Sequence, residues 1–136
     1  MVGETLEGQL RRHEGVRYLP YKDSLGILTI GVGHNLSKPL SDRAVQVILE
    51  DDINEAREAL YSYEPWVLNL DSARRNVLIN MSFNMGMEHL EEFKQTLTHI
   101  KNGQYGDAAD HMLSTLWAKQ VGPRAVELAT IMRNGG

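Results

Sequence analysis

Arg12-His13-Glu14-Gly15-Val16-Arg17-Tyr18-Leu19-Pro20-Tyr21-Lys22-Asp23, followed after a short turn by Thr29-Ile30-Gly31-Val32-Gly33-His34, carries the most information in this chain. Upstream, Leu6 and Leu10 stand one helical turn apart in an amphipathic run from Leu6 to His13, and Gly15 is a natural residue to end it. Arg17 to Lys22 and Ile27 to Val32 read as two strands joined by the turn Asp23-Ser24-Leu25-Gly26. A short helix, a hairpin and two carboxylates therefore fall within one small segment.

Those carboxylates sit in different expected settings. Glu14 closes the helix, where the negative end of the helix dipole and partial burial favour the protonated acid. Asp23 opens the turn, where solvation keeps a carboxylate ionised. Glycoside cleavage by acid–base chemistry needs such a division: one carboxyl protonates the departing oxygen, and the other activates water or stabilises the transition state. Taken alone, a Glu at a helix end and an Asp in a turn are ordinary surface residues.

The segment from Leu10 to Leu36, with Glu14-Gly15, Tyr21-Lys22-Asp23, Gly26 and Thr29 to His34, resembles the phage-type lysozymes, a glycoside hydrolase family. Asp71-Ser72-Ala73-Arg74-Arg75 through Asn80-Met81-Ser82-Phe83-Asn84-Met85-Gly86 is similar to the family's central helix. Trp117 with Gly122-Pro123-Arg124-Ala125 is similar to its C-terminal segment. Three motifs in the same order make a far more specific match than any one of them. By this resemblance Glu14 is the general acid, Asp23 the second carboxylate and Thr29 the hydroxyl beside the attacking water. The implied reaction is hydrolysis, with inversion, of the β-1,4 bond between N-acetylmuramic acid and N-acetylglucosamine in bacterial peptidoglycan. Inversion requires carboxyls roughly 6.5–9.5 Å apart, so that a water fits between.

The resemblance also assigns supporting roles. Arg124 matches an arginine that pairs with the catalytic Glu, and His34 with Asp51 a pair fastening the hairpin to the following helix, with Asp52 taking that part if the register shifts by one. Asn35, Phe83, Thr96 and His111 fall where the family lines its sugar cleft, although Phe83 also suits core packing with Met81 and Met85. Departures include His13, where the T-even phage member carries an acidic residue, and a short Asn35 to Leu40 connection where larger members insert a loop and helix. No cofactor is expected, nor a metal, because no second His or Cys stands at ligand spacing from His34.

Composition narrows the class. Fourteen Lys plus Arg oppose eighteen Asp plus Glu, a net charge of −4, and no basic stripe marks a nucleic-acid binder. Between positions 50 and 70, Glu50, Asp51, Asp52, Glu55, Glu58 and Glu64 face only Arg57, which reads as a solvated helix face or as a dock for a basic partner. The chain has no Cys, no signal-peptide pattern and no stretch approaching a membrane span. The resemblance implies a monomer held in the host bacterial cytoplasm until a holin releases it to the wall, or delivery through a phage-tail or effector assembly.

The expected architecture is α+β: a lysozyme-like, two-lobed fold with a small hairpin lobe at about 15–60 and a helical lobe at about 1–14 and 61–136. A helix from Ser41 to about Tyr61, with Val45, Ile48, Leu49, Ile53 and Ala56 on one broad face, joins them. Further helices are predicted from Asp71 to Met85, Lys94 to Lys101, Asp107 to Leu113 and Pro123 to Arg133. Two other functions use the same features: a lytic transglycosylase, which needs one carboxyl only, and a non-catalytic wall-binding or tail-structural module.

Overall fold

A computed structural model describes residues 3–136 and divides the chain into two compact units, the first ending at Val47 and the second spanning Ile48–Gly136. The first unit opens with α1 (Leu6–Glu14), capped where the Thr5 hydroxyl accepts from the Gly8 N–H at 3.0 Å. Glu7 in its first turn and Arg11, Arg12 and His13 in its last complement the helix dipole. Gly15, at φ 77°, stops it and donates to the Arg11 carbonyl at 2.9 Å.

Three antiparallel strands follow in the order β1 (Arg17–Lys22), β2 (Leu28–Gly31) and β3 (His34–Asn35). Tyr21 pairs with Thr29 and Lys22 with Leu28, but the register slips between Arg17 and Tyr21. Pro20 lies in that interval and has no N–H to offer the ladder, which accounts for the irregularity. The third strand is too short to carry a sequence signature. Among the described residues of this unit only Thr29 is buried, at 4% exposure. Hydrogen-bonded turns, rather than an apolar core, therefore shape it.

Helix α2 (Asp42–Tyr63) starts at the expected place, with the Ser41 hydroxyl accepting from the Ala44 N–H at 3.1 Å. Its apolar face behaves differently from expectation. Ala56 and Leu60 are buried, whereas Val45, Ile48 and Leu49 stay exposed, so helical spacing marked a stripe of which only the later part finds a core.

The second unit is helical throughout. A 3-10 turn at Pro65–Asn69 precedes α3 (Ser72–Met85), α4 (Met87–Leu90), α5 (Lys94–Lys101), α6 (Tyr105–Leu113), α7 (Leu116–Val121) and α8 (Pro123–Asn134). Leu60, Val67, Leu78, Met81, Leu90, Ile100, Met112 and Met132 are among the side chains packed in one core, with Phe93 set edge-on to Trp117 at 6.1 Å. Arg74 ties α8 to α3: Nε donates to the Met132 carbonyl at 2.7 Å, Nη2 to the Arg133 carbonyl at 3.1 Å, and the guanidinium lies 3.7 Å from the Tyr105 ring centre. The fold is α+β.

The division of the chain differs from the expected one. Although residues 1–14 are expected in the helical lobe, α1 belongs with the sheet, and Glu14 at its end lies against the hairpin at Gly33. The boundary falls at Val47 rather than near 60, because Leu60 belongs to the helical core.

Candidate active site

The turn after β1 is closed by its own first residue. Asp23 N–H donates to the Ile27 carbonyl at 2.9 Å, Gly26 N–H returns to the Asp23 carbonyl at 3.0 Å, and Gly26 takes φ 79° to complete the reversal. The Asp23 carboxylate folds over the same turn, with Oδ1 accepting from Leu25 N–H at 2.8 Å and Ile27 N–H at 2.9 Å. Two backbone donors thus fix its orientation. Oδ2 has no donor among the described residues, and no buried side-chain oxygen there lacks a partner, so Oδ2 faces solvent.

Ile27 connects this carboxylate to the next candidate. Its carbonyl accepts the Thr29 hydroxyl at 2.8 Å. With its single proton committed, Thr29 Oγ1 can only accept from anything that approaches it. Thr29 lies opposite Tyr21 on one side and Asn35 on the other, so these three side chains form a row on one face of the sheet. The Arg17 guanidinium lies 5.1 Å from the Tyr21 ring centre.

Glu14 reaches the hairpin from the end of α1. Gly33, at φ 65°, leaves room for it: a Cβ there would stand 2.8 Å from Glu14 Oε2 and 3.1 Å from Cδ. Glu14, Asp23, Thr29 and Asn35 are all placed by one small unit, α1 with its sheet. Their surroundings are the reverse of expectation: Glu14 is exposed rather than partly buried, and Asp23 is half-buried rather than well solvated. The turn itself covers Asp23, whereas the last residue of a helix that buries none of its side chains stays open.

The other candidates divide between the units. His34 is exposed on β3 in the first, and Asp51 and Asp52 are exposed on α2 in the second. Phe83 is 44% exposed, not a core residue, and borders two grooves of the helical unit. One, of about 390 Å³, it shares with Leu49, Ile53, Arg57, Asn80 and Arg124. Arg124 lays its guanidinium on the Asn80 side-chain oxygen, through Nε at 3.0 Å and Nη2 at 2.6 Å. Thr96 requires a correction as a sugar contact: it is fully buried, and its hydroxyl hydrogen-bonds His111 Nδ1 at 2.6 Å. Only the half-buried His111 of that pair has surface to offer.

Several residues escaped the sequence reading. Ser37 holds Asn35, an Asx-turn spacing of two residues that was there to be read. Asn84 accepts from the Trp117 indole at 2.9 Å and Asn80 from Arg124, both across gaps in sequence that nothing local signals. Among the described residues, no three His, Cys, Asp or Glu side chains are grouped to hold a metal ion, and no helix is long and apolar enough to cross a membrane.

An α+β fold with two carboxylates and a hydroxyl gathered around a hairpin defines a class, the lysozyme-like proteins. The phage lysozyme family model matches residues 11–133, and the chain belongs to that family. It is therefore a lysozyme-like peptidoglycan hydrolase. Two proteins of Dictyostelium discoideum, "Probable T4-type lysozyme 1" and "Probable T4-type lysozyme 2", are each 26% identical to it over 96% of this chain and 95% of their own length. The "Pre-baseplate central spike protein Gp5" of Enterobacteria phage T4 is also 26% identical over 96% of this chain, which spans 28% of that larger protein.

Proposed function

We propose that this protein is an N-acetylmuramidase, which hydrolyses the β-1,4 bond from N-acetylmuramic acid to N-acetylglucosamine with inversion at the anomeric carbon. Protonated Glu14 gives its proton to the departing sugar oxygen. A water lies between Asp23 Oδ2 and Thr29 Oγ1, and both of these oxygens only accept. The water must therefore donate both hydrogens to them, which leaves a lone pair directed at the sugar. As it attacks, one of those protons passes to Asp23, so charge and atoms balance across the two carboxyls.

The observation that supports this most is the shared anchorage at Ile27, whose N–H holds Asp23 Oδ1 and whose carbonyl takes the Thr29 proton. It leaves each of the two side chains an acceptor to offer a nucleophilic water. Clearing of purified peptidoglycan by the wild type, Glu14→Gln and Asp23→Asn tests the assignment. The wild type should clear the suspension while both variants, folded, lose about 10²–10⁴-fold. Equal clearing by all three would refute it. Mass spectrometry of the products separates hydrolysis from a lytic transglycosylase, which would leave a 1,6-anhydro end.

Likeness to part of a tail spike protein supports a second setting, a wall-cutting domain carried by a phage tail. In the first setting the chain is a monomer that waits in the host cytoplasm for a holin to open the way to the wall. Lysis timing in cells with and without a co-expressed holin distinguishes the two: release that needs the holin favours the free enzyme.

A further inference from the structure

The helical unit carries a groove of about 350 Å³ that is lined by none of the residues given a catalytic role. One end of it is made by two half-buried carboxyls within hydrogen-bonding reach of each other, Glu64 just after α2 and Glu91 just after α4. The Trp66 indole donates to Glu64 Oε2 at 2.5 Å, which fixes that carboxylate against the groove's wall. Lys94, Leu97 and Lys101, three and four residues apart, share one face of α5. Leu97 is buried and supplies an apolar floor, while both lysines are exposed. The charge of Lys94 is felt by Glu91, yet neither lysine is ion-paired with a described residue. Opposite charges are thus held apart within one pocket.

A pocket so arranged sorts ligands by charge. Two facing carboxylates repel once both are ionised, and a cation set between them relieves the repulsion, whereas two unpaired ammonium groups call for an anion. A simple cation would meet the lysines and a simple anion the carboxylates. An α-amino acid end carries both charges on one carbon. We propose that this groove binds the zwitterionic end of a diamino-dicarboxylic acid in a peptidoglycan stem peptide, with Glu64 and Glu91 taking its ammonium and Lys94 and Lys101 its carboxylate. Such a contact holds the enzyme to the wall through peptide rather than sugar. The proposal rests on the wall-cutting role given above and uses none of its catalytic residues.

The test is an NMR titration of the full, isotope-labelled chain, followed at the indole N–H resonances of Trp66 and Trp117. The first probe is the tripeptide L-Ala-γ-D-Glu-meso-diaminopimelate. A second carries L-Lys in the third place, which keeps the ammonium and lacks the carboxylate; a third carries L-α-aminopimelate, which keeps the carboxylate and lacks the ammonium. The Trp66 signal should shift saturably with the first probe while that of Trp117, packed in the core, stays. Each of the other two should bind roughly 2–5-fold more weakly, the range of one solvent-exposed charge pair. Glu64→Gln, which keeps an acceptor for Trp66, should erase the advantage over the aminopimelate probe, and Lys94→Gln combined with Lys101→Gln the advantage over the lysine probe. A Trp66 signal that no probe moves, equal affinity for all three, or selectivity left intact by these variants overturns the proposal. Peptidoglycan clearing reports separately: binding without clearing fails the catalytic reading and leaves the groove's role standing, whereas clearing with an unmoved Trp66 fails this inference alone.

Discussion

Replacing Gly33 by alanine should disable the enzyme while hardly disturbing its fold. The new methyl would stand 2.8 Å from Glu14 Oε2, 3.1 Å from Cδ and 3.2 Å from Cγ. To regain the 3.4 Å at which ordinary van der Waals contact begins, the carboxylate must retreat by about 0.6 Å. Glu14 is exposed and flexible, so it yields at little energetic cost. The backbone contributes more: φ 65° costs an L-residue about 1–2 kcal/mol, of which roughly 0.4–1 kcal/mol is offset by the less flexible unfolded chain. The net loss of stability is thus about 0–1.6 kcal/mol. Activity responds to position far more steeply, since displacements near 1 Å can cost about 10²-fold, so clearing should fall about 10–100-fold. Gly31→Ala is the matched control, because Gly31 has φ 68° and no atom within 4 Å of an added Cβ. Turbidity clearing and thermal melting of both variants should show similar melting midpoints but a loss of activity in Gly33→Ala alone. Equal activity in the two, with both folded, would refute the placement of Glu14 against the hairpin.

Thr29→Val removes the acceptor at constant shape and should cut turnover about 10²-fold or more, whereas Thr29→Ser, able to make the same bond to Ile27, should keep most of it; rates on peptidoglycan decide, and an active Val variant would dismiss the acceptor role. Arg74→Ala frees two carbonyls at the end of α8 and loses the Tyr105 contact, so denaturant unfolding should report about 2–4 kcal/mol less stability, and a loss below about 0.5 kcal/mol would deny Arg74 its clamping part. Desolvation, then a hydrogen bond and repulsion from Glu64, raise the Glu91 pKa above its ordinary value despite Lys94. The native state therefore holds more proton than the unfolded chain between those two values, and this contribution to stability is lost as pH rises through the raised one. Glu91→Gln should flatten that decline in melts taken from about pH 4 to 7; an unchanged slope would refute it. Leu78→Ala, at a fully buried position of the helical core, should cost about 2–5 kcal/mol, read from denaturant midpoints.

What could be read from the sequence follows the range over which each signal acts. Turn residues and helical spacing are local, so α1, β1, α5 and α8 lie within a residue of where Gly15, Pro123 and the apolar repeats put them. Helices α4 and α7, of four and six residues, are too short to show a period. Asp23 and Thr29 stand out in the sequence as candidates, but that both hang on Ile27 depends on hydrogen bonds that no pattern encodes. Burial was the least legible property: Glu14, Val45, Ile48 and Leu49 are more open, and Asp23 and Thr96 more covered, than residue type or the resemblance implied. In the Gly31-Val32-Gly33 turn, only the structure separates a glycine needed for its backbone angle from one also needed for the space above it.

The most direct test of the chemistry is the anomeric form of the first product. Proton NMR of a soluble peptidoglycan fragment, recorded in the first minutes after adding enzyme and before mutarotation, should show the new reducing end as the α-anomer if, as proposed, a water held by Asp23 and Thr29 attacks from the face opposite the departing oxygen. A β-anomer at the earliest time point would mean a covalent sugar–enzyme intermediate, and the water-holding role given to Asp23 and Thr29 would be wrong.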